Sequence, residues 1–279
     1  MIIIADSGST KTTWNLTDPA SGTIQSLVTV GINPFYQDEE SIYSLIKDAF
    51  GKAPGIIDTV YFYGAGCANP EVNRIVSNAL ERFFNAHVTE VASDLLAAAR
   101  SLCQHSEGLV AILGTGSNSC YYDGNGIAAQ VSPLGFILGD EGSGAVLGKR
   151  LLADILKNQL PANLVQHFFE AYPIQKADIL DHIYKKPFPN RYAAGFTRFI
   201  AQHIQEPAMQ NLVLSEFKAF IQRNILQYDA ASQLPLHAVG SIAWHFRDQL
   251  REAAKNEGIA IGKVVQDPMP GLLAYHQAE

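Results

Sequence analysis

Charge is scarce in this 279-residue chain: Asp, Glu, Lys and Arg make up 17% of it, against 47% hydrophobic residues. That balance excludes an extended disordered chain and supports a packed core in one large domain or two ordinary ones. There is no Lys/Arg-rich run and the formal net charge is −7, so nucleic acid is not an expected partner. Three cysteines, Cys67, Cys103 and Cys120, are scattered without a C-x-x-C pair. This argues against a disulfide framework or a zinc site and suits a reducing cytoplasm. Apolar stretches fall short of the ~20 residues of a membrane span, so no membrane is expected either. The first residues, Met1-Ile-Ile-Ile-Ala-Asp-Ser-Gly8, lack the basic start and small-residue cleavage site of a secretory signal and read as a buried strand. The spacing of a Walker A phosphate loop is also missing.

What is present is one plan written twice. Met1–Ala5 is an apolar strand ending in the polar turn Asp6-Ser7-Gly8-Ser9-Thr10-Lys11, with strands expected at Thr12–Leu16 and Thr23–Val30. Helical spacing follows at Ser41–Phe50, a buried strand at Thr59–Gly64, a helix at Pro70–Phe84, a strand at His87–Ala92 and a short helix at Asp94–Leu102. About a hundred residues later the order restarts. Leu109–Leu113 is apolar, Gly114-Thr115-Gly116-Ser117-Asn118-Ser119 reads as a turn, and strands are expected at Cys120–Tyr122 and Ile127–Val131. A mostly helical stretch, 144–228, separates these from a closing strand–helix–strand–helix set: His237–Val239, Ser241–Lys255, Ile259–Val265 and Gly271–His276. The boundary is drawn at 107/108, with the last helix free to pack back on the first half.

Several segments carry residues suited to chemistry. A small-residue turn between strands can offer backbone N–H groups to phosphate oxygens, and Lys11 adds positive charge; an ordinary hairpin turn with an exposed lysine has the same appearance. Asp6, ending its strand, suits a metal-bound water. The second turn, with Thr115 and Gly116, stands at the matching place of the second half. Asp94 lies where a strand passes into a helix, a position for either a cap or a general base. Gly139-Asp140-Glu141-Gly142-Ser143 puts two acids among glycines before a helix, suited to sugar hydroxyls or a metal-bound water, or simply to a cap. Gly240-Ser241 lets a ligand lie close to backbone, and Asn33, before Pro34, carries donors and an acceptor in what also reads as a plain turn.

In this order, Asp6-Ser-Gly-Ser-Thr-Lys-Thr12, Gly114-Thr-Gly-Ser-Asn118, Gly139-Asp-Glu-Gly-Ser143 and Val239-Gly-Ser-Ile242 resemble the acetate-kinase/sugar-kinase/Hsp70/actin superfamily, and within it the N-acetylglucosamine kinase-like branch of the BadF/BadG/BcrA/BcrD-type ATPases. The resemblance spans nearly the whole chain. It implies an α/β fold of two RNase-H-like domains with a nucleotide cleft between them, 1–107 and 108–279, the second with a helical insertion at about 144–228. It implies an ATP- and Mg2+-dependent kinase for a hydroxyl of an amino sugar, N-acetylglucosamine or N-acetylmuramic acid. Gly8, Ser9, Thr10, Lys11, Thr115 and Gly116 match phosphate-binding positions, and Asp6 the metal-side acid. Gly240 and Ser241 match the adenosine motif, with Gly271 near the nucleotide. Asn33, Asn118 and Asp140 match sugar contacts, and Asp94 the catalytic base. Ser7 and Ser9 stand where relatives often have glycine, so their side chains either crowd the phosphate or help bind it. The implied setting is cytoplasmic, with a small-molecule sugar as partner and a homodimer compatible.

Two other activities fit the resemblance. An ATPase activator of a dehydratase would hold an iron–sulfur cluster at a dimer interface through cysteines such as Cys67 and Cys103. A non-catalytic sugar sensor usually adds a helix-turn-helix, for which the strand expected from residue 1 leaves no room.

Overall fold

The computed structural model describes residues 1–8, 10–18 and 22–277. They divide into two compact units, Met1–His105 with Pro268–Glu279, and Ser106–Asp267. The chain passes from one unit to the next at 105/106, two residues from the expected 107/108, and the last helix packs on the first unit. Met269 and Leu272 are the cause, since they bury against Ile4, Tyr63 and Ala97.

The first unit comprises β1 (Ile2–Ser7), β2 (Lys11–Asp18), β3 (Thr23–Val30), α1 (Glu39–Phe50), β4 (Thr59–Gly64), α2 (Pro70–Phe84), β5 (Val88–Ser93) and α3 (Asp94–Cys103), with the C-terminal helix Met269–Gln277. Its sheet runs β3-β2-β1-β4-β5, antiparallel through β3, β2 and β1 and parallel through β1, β4 and β5. β1 is apolar from Ile2 to Ala5 because it is buried on both faces. Ile3 and Ala5 join the core under α1 and α2, and Ile4 the core under α3 and the C-terminal helix. Trp14 anchors the first core, fully buried with the rings of Phe50, Phe62 and Phe84 at 5.4–6.0 Å. Truncating it to alanine would cost about 3–5 kcal/mol. α2 begins where the sequence signals it: Asn69 caps the Val72 amide at 3.0 Å and Pro70 stands at the first helical position.

The second unit repeats the plan with β6 (Gly108–Leu113), β7 (Ser117–Tyr122), β8 (Ile127–Val131), β9 (Leu236–Val239) and β10 (Ile261–Val265) in the order β10-β9-β6-β7-β8. Here β6, β9 and β10 are parallel and β6, β7 and β8 antiparallel. Its helices are α4 (Gly135–Leu138), α5 (Gly144–Leu156), α6 (Ala162–Ala171), α7 (Lys176–Tyr184), α8 (Pro189–Gly195), α9 (Thr197–Gln202), α10 (Pro207–Arg223), α11 (Ser241–His245) and α12 (Arg247–Asn256). Several expectations change. The helix expected at Ser241–Lys255 breaks at buried Phe246, and within the helical stretch 144–228 the last long helix, α10, stops at Arg223. There the Asn224 side chain bonds back to the Phe220 carbonyl at 3.2 Å, competing with a further helical turn. α4 and α8 are short, four and seven residues, below the length at which periodicity shows.

Among the described residues, no helix is long and apolar enough to cross a membrane.

Candidate active site

In each unit the chemistry-bearing residues collect at one edge of the sheet, the C-terminal ends of the parallel strands, where open α/β sheets present their loops to ligands. In the first unit Ser7, Gly64 and Ser93 lie side by side in register and end β1, β4 and β5 together. The β1–β2 turn, the loop after β4 and the start of α3 therefore share that edge. Ser93 caps α3 by accepting from the Leu96 amide at 3.2 Å, which leaves Asp94 as the first helical residue. Asp94 keeps some surface, yet its carboxyl sits among enough protein atoms that burial pushes its pKa up to about 6, against the pull of the Leu95 amide and its own. The Cys67 thiol, on the loop after β4, is pushed up to about 12 by burial and by the Asp94 charge.

The β1–β2 turn is tied down from inside. Ser7 is fully buried: its Oγ pairs with Thr12 Oγ1 at 2.7 Å, donates to the Ile32 carbonyl and accepts from the Ile32 amide, both at 2.9 Å. The Gly8 amide donates to the Lys11 carbonyl at 3.0 Å, and an added Cβ at Gly8 would come no closer than 3.9 Å, to that same oxygen. Lys11 is exposed. Ser9 lies outside the described residues. Asp6 is half-buried on the sheet face that holds Ile4.

In the second unit the edge is built from the β6–β7 turn, the loop 139–143 and the β9–α11 junction. Gly114 and Thr115 accept through their carbonyls from the Gly144 and Ala145 amides at 2.8 and 3.0 Å, which fastens the turn to the start of α5. Ser143 caps α5 on the Val146 amide at 3.2 Å. Asp140 holds a left-handed backbone, φ 56°, and its Oδ2 would meet a side chain at Gly116 at 3.0 Å, so carboxylate and turn are in contact. Burial pushes Asp140 up to about 6, opposed by the Ser117 amide it accepts from and by Lys149, and reinforced by Glu141. Glu141 itself is held by Arg223 and by Asn224 Nδ2 at 3.3 Å. Of the two adjacent acids, one is thus committed to α10 and the other faces the turn.

Comparison with solved structures gives this arrangement a family. A protein from Porphyromonas gingivalis, provisionally named an N-acetylglucosamine kinase, is 47% identical over 100% of this chain and 99% of its own, with a TM-score of 0.95. The chain belongs to the N-acetylglucosamine kinase-like family. Two more distant structures share the fold: a provisionally named N-acetylglucosamine kinase from Chromobacterium violaceum (16% identity, 98% of each chain, TM-score 0.76) and a ROK-family glucokinase from Streptomyces griseus, solved with glucose and AMPPNP (15% identity, 98% of this chain and 97% of that one, TM-score 0.60). No protein-family model and no curated protein matches the chain.

Within this N-acetylglucosamine kinase-like chain, the anticipated residues divide between the two edges. Asp6, Gly8, Thr10, Lys11, Asn33 and Asp94 belong to the first unit, and Thr115, Gly116, Asn118, Asp140, Gly240 and Ser241 to the second. Two local readings are corrected. The second turn is shorter than expected, because β7 starts at Ser117; Asn118 is a strand residue whose Oδ1 accepts from the Ser119 amide at 2.9 Å and from Gln130 Nε2 at 3.0 Å. Gly271 does not open the last helix but lies inside it, in the first unit, where an added Cβ would stand 2.3 Å from Ser101 Oγ. Close packing on α3 therefore accounts for that glycine. Gly240 has a structural reason of its own: φ is 121°, and a Cβ would sit 2.4 Å from the Leu113 carbonyl oxygen. Ser241 is exposed beside it.

Sequence reasoning missed a buried network under α3. Arg100 donates to Tyr63 OH and Glu90 Oε1, each at 2.6 Å, and Tyr63 OH pairs with His276 Nε2 at 2.7 Å. The network fixes the helix that begins with Asp94. Its members are 213 residues apart at the extreme, so no local pattern announces them.

Proposed function

We propose that this protein is an ATP-dependent kinase that phosphorylates a hydroxyl of an amino sugar, N-acetylglucosamine or the related N-acetylmuramic acid, as a cytoplasmic member of the BadF/BadG/BcrA/BcrD-type ATPases. The observation that carries the proposal is the 47% identity, over the whole chain, to a provisionally named N-acetylglucosamine kinase. The site chemistry supports it. In the reaction the acceptor hydroxyl oxygen forms a bond to the γ-phosphorus, the bond to the bridging oxygen of ADP breaks, and the hydroxyl proton passes to Asp94. A carboxyl poised at about 6 is ionised at neutral pH and still basic enough to take that proton. Thr10, Lys11, Thr115 and Gly116, with Gly8 leaving room, are assigned to the phosphates, Gly240 and Ser241 to the adenosine, and Asn33, Asn118 and Asp140 to the sugar.

Magnesium fits only as a companion of the nucleotide. Among the described residues no group of three or more His, Cys, Asp or Glu side chains is placed to hold a metal. A site offering single carboxylates suits an ion bound mainly by phosphates and water. Asp6 would hold one such water, and the ion would neutralise phosphate charge. The activator alternative loses its ligands, since Cys67, Cys103 and Cys120 are all buried. The test is a coupled ADP-release screen over hexoses, hexosamines and their N-acetylated forms. Release that depends on an N-acetylated amino sugar is expected; ATP turnover indifferent to every sugar would refute the kinase reading.

A further inference from the structure

The loop after β4 is packed against Asn33, and the packing decides which face of that side chain remains available. Asn33 uses its backbone N–H on Gln37 Oε1 at 2.7 Å and its backbone carbonyl on the Tyr36 amide at 3.0 Å. Its side-chain Oδ1 accepts from the Phe35 amide at 3.0 Å. Because that partner is an N–H, the atom facing it must be the oxygen, and the amide nitrogen is turned the other way. Among the described residues the side-chain nitrogen is the one polar group of Asn33 with no partner inside the unit.

Gly66 closes the other side of this arrangement. Its φ is 85°, and a Cβ there would stand 2.5 Å from Asn33 Oδ1 and 2.8 Å from Phe35 Cδ2. The loop cannot retreat to make room. The Ala65 amide is bonded to the Ser7 carbonyl, the Cys67 amide to Gly64 and the Ala68 amide to Gly66, at 2.9–3.1 Å. An added methyl must therefore displace the Asn33 amide, at the same sheet edge that carries Asp94.

We infer that Gly66 is a positioning residue for substrate recognition. Its bare backbone locks the Asn33 carboxamide with oxygen inward, so that Asn33 presents an N–H donor to an acceptor oxygen of the sugar, a hydroxyl or an acyl carbonyl. The inference rests on the kinase reading and deepens it by fixing the hydrogen-bond polarity of one sugar contact. Turning the carboxamide would remove that bond, worth about a threefold to tenfold change in affinity for a neutral pair.

The experiment compares wild type, Gly66→Ala, Asn33→Ala and the double variant, each checked for folding by thermal melting. KM for N-acetylglucosamine is measured at saturating ATP, and KM for ATP at saturating sugar. Expected for Gly66→Ala is a sugar KM raised about threefold to tenfold with the ATP KM within twofold. The double variant should have a sugar KM no higher than Asn33→Ala alone, since the Oδ1 through which Gly66 acts is gone, while the Phe35 contact and the positive φ still strain its fold. If Gly66→Ala fails to fold, Asn33→Asp decides the matter: it keeps an oxygen for the Phe35 amide but has no outward N–H, so its sugar KM should rise as for Asn33→Ala, and an unchanged one would overturn the donor role. An unchanged sugar KM, equal losses for sugar and ATP, or additive losses in the double variant would overturn the role of Gly66 while leaving the kinase reading intact. A wild type that phosphorylates no sugar overturns both.

Discussion

Replacing Asp94 by asparagine should abolish sugar phosphorylation and, at the same time, stabilise the protein in a pH-dependent way. The carboxyl is raised from its ordinary 3.8 to about 6, mainly by burial. Holding it ionised costs the fold about 3 kcal/mol, at about 1.36 kcal/mol for each pH unit by which the pKa moves. Partial solvent access trims this to about 1–2 kcal/mol. The sign follows from which state binds the proton more tightly. Here the folded state does, so the contribution to stability is full below pH 3.8 and is lost as pH rises through about 6. Asparagine keeps the shape and an acceptor for the Leu95 amide but never carries the charge. Asp94→Asn should therefore melt about 3–6 °C above wild type at pH 8, and the gap should shrink towards zero at pH 4. Differential scanning calorimetry at the two pH values, with the ADP-release assay alongside, checks both halves. A variant no more stable than wild type at pH 8, or equally stabilised at both pH values, would show that the carboxyl is not held in an unfavourable setting. Near-normal turnover would remove it from the chemistry.

The same carboxyl sets a second expectation: kcat/KM of the wild type should fall about tenfold per pH unit below about 6, as Asp94 binds the proton it needs to accept, and a flat acid profile would contradict this. Asp140→Ala should weaken sugar binding about tenfold or more and ATP binding less than about twofold, read by calorimetry with each ligand alone. Unchanged sugar affinity would count against its role. Ser7→Ala removes a buried hydroxyl that serves Thr12 and both backbone groups of Ile32, and should cost about 2–3 kcal/mol in urea unfolding with little change in ATP KM. A large rise in ATP KM without loss of stability would instead make Ser7 a phosphate ligand. Gly240→Ala, with a Cβ 2.4 Å from the Leu113 carbonyl and φ at 121°, should destabilise by about 3 kcal/mol or more, well beyond any effect confined to nucleotide affinity.

What the sequence disclosed follows from how local each signal is. The helix Pro70–Phe84 carries its own start, an asparagine cap with proline behind it, and its own left-handed stop at Asn85, so its limits could be read directly. The strand Thr23–Val30 was legible from its β-rich run after the turn residues that precede it. Ser7 was not, because a serine in a glycine-rich turn looks alike whether it faces a ligand or the interior. Only the register of β1 against β2 shows it paired with Thr12. Gly271 shows how little a lone glycine says from sequence: it lies inside its helix, and an added side chain would meet Ser101 on α3, a contact no local pattern announces. Cys67 and Asp94 are neighbours through the parallel pairing of β4 with β5, which no spacing along the chain encodes.

The repeated topology explains why the anticipated residues fall where they do. In both units the first strand leads into a tight hairpin, and the second and third parallel strands end beside that hairpin. The edge position after each parallel strand is consequently the same in space, and each unit fills it according to its own needs. After the middle strand both units place glycine: Gly64 and Gly66 after β4, Gly240 after β9. At Gly64, Gly66 and Gly240 alike, a Cβ would strike a neighbour within 3 Å. At Gly240 the neighbour is the Leu113 carbonyl at the end of the adjacent strand, a steric need that would hold in a protein with no activity at all, whereas at Gly64 it is Phe62 and at Gly66 it is Asn33, the side chain that loop positions. The chemistry enters where the two units differ. The first follows its outer parallel strand directly with a capped helix that begins in an acid, and the second brings an acid from a separate loop against its hairpin. Carboxyls held at about 6 in both places are the residues that packing alone does not call for.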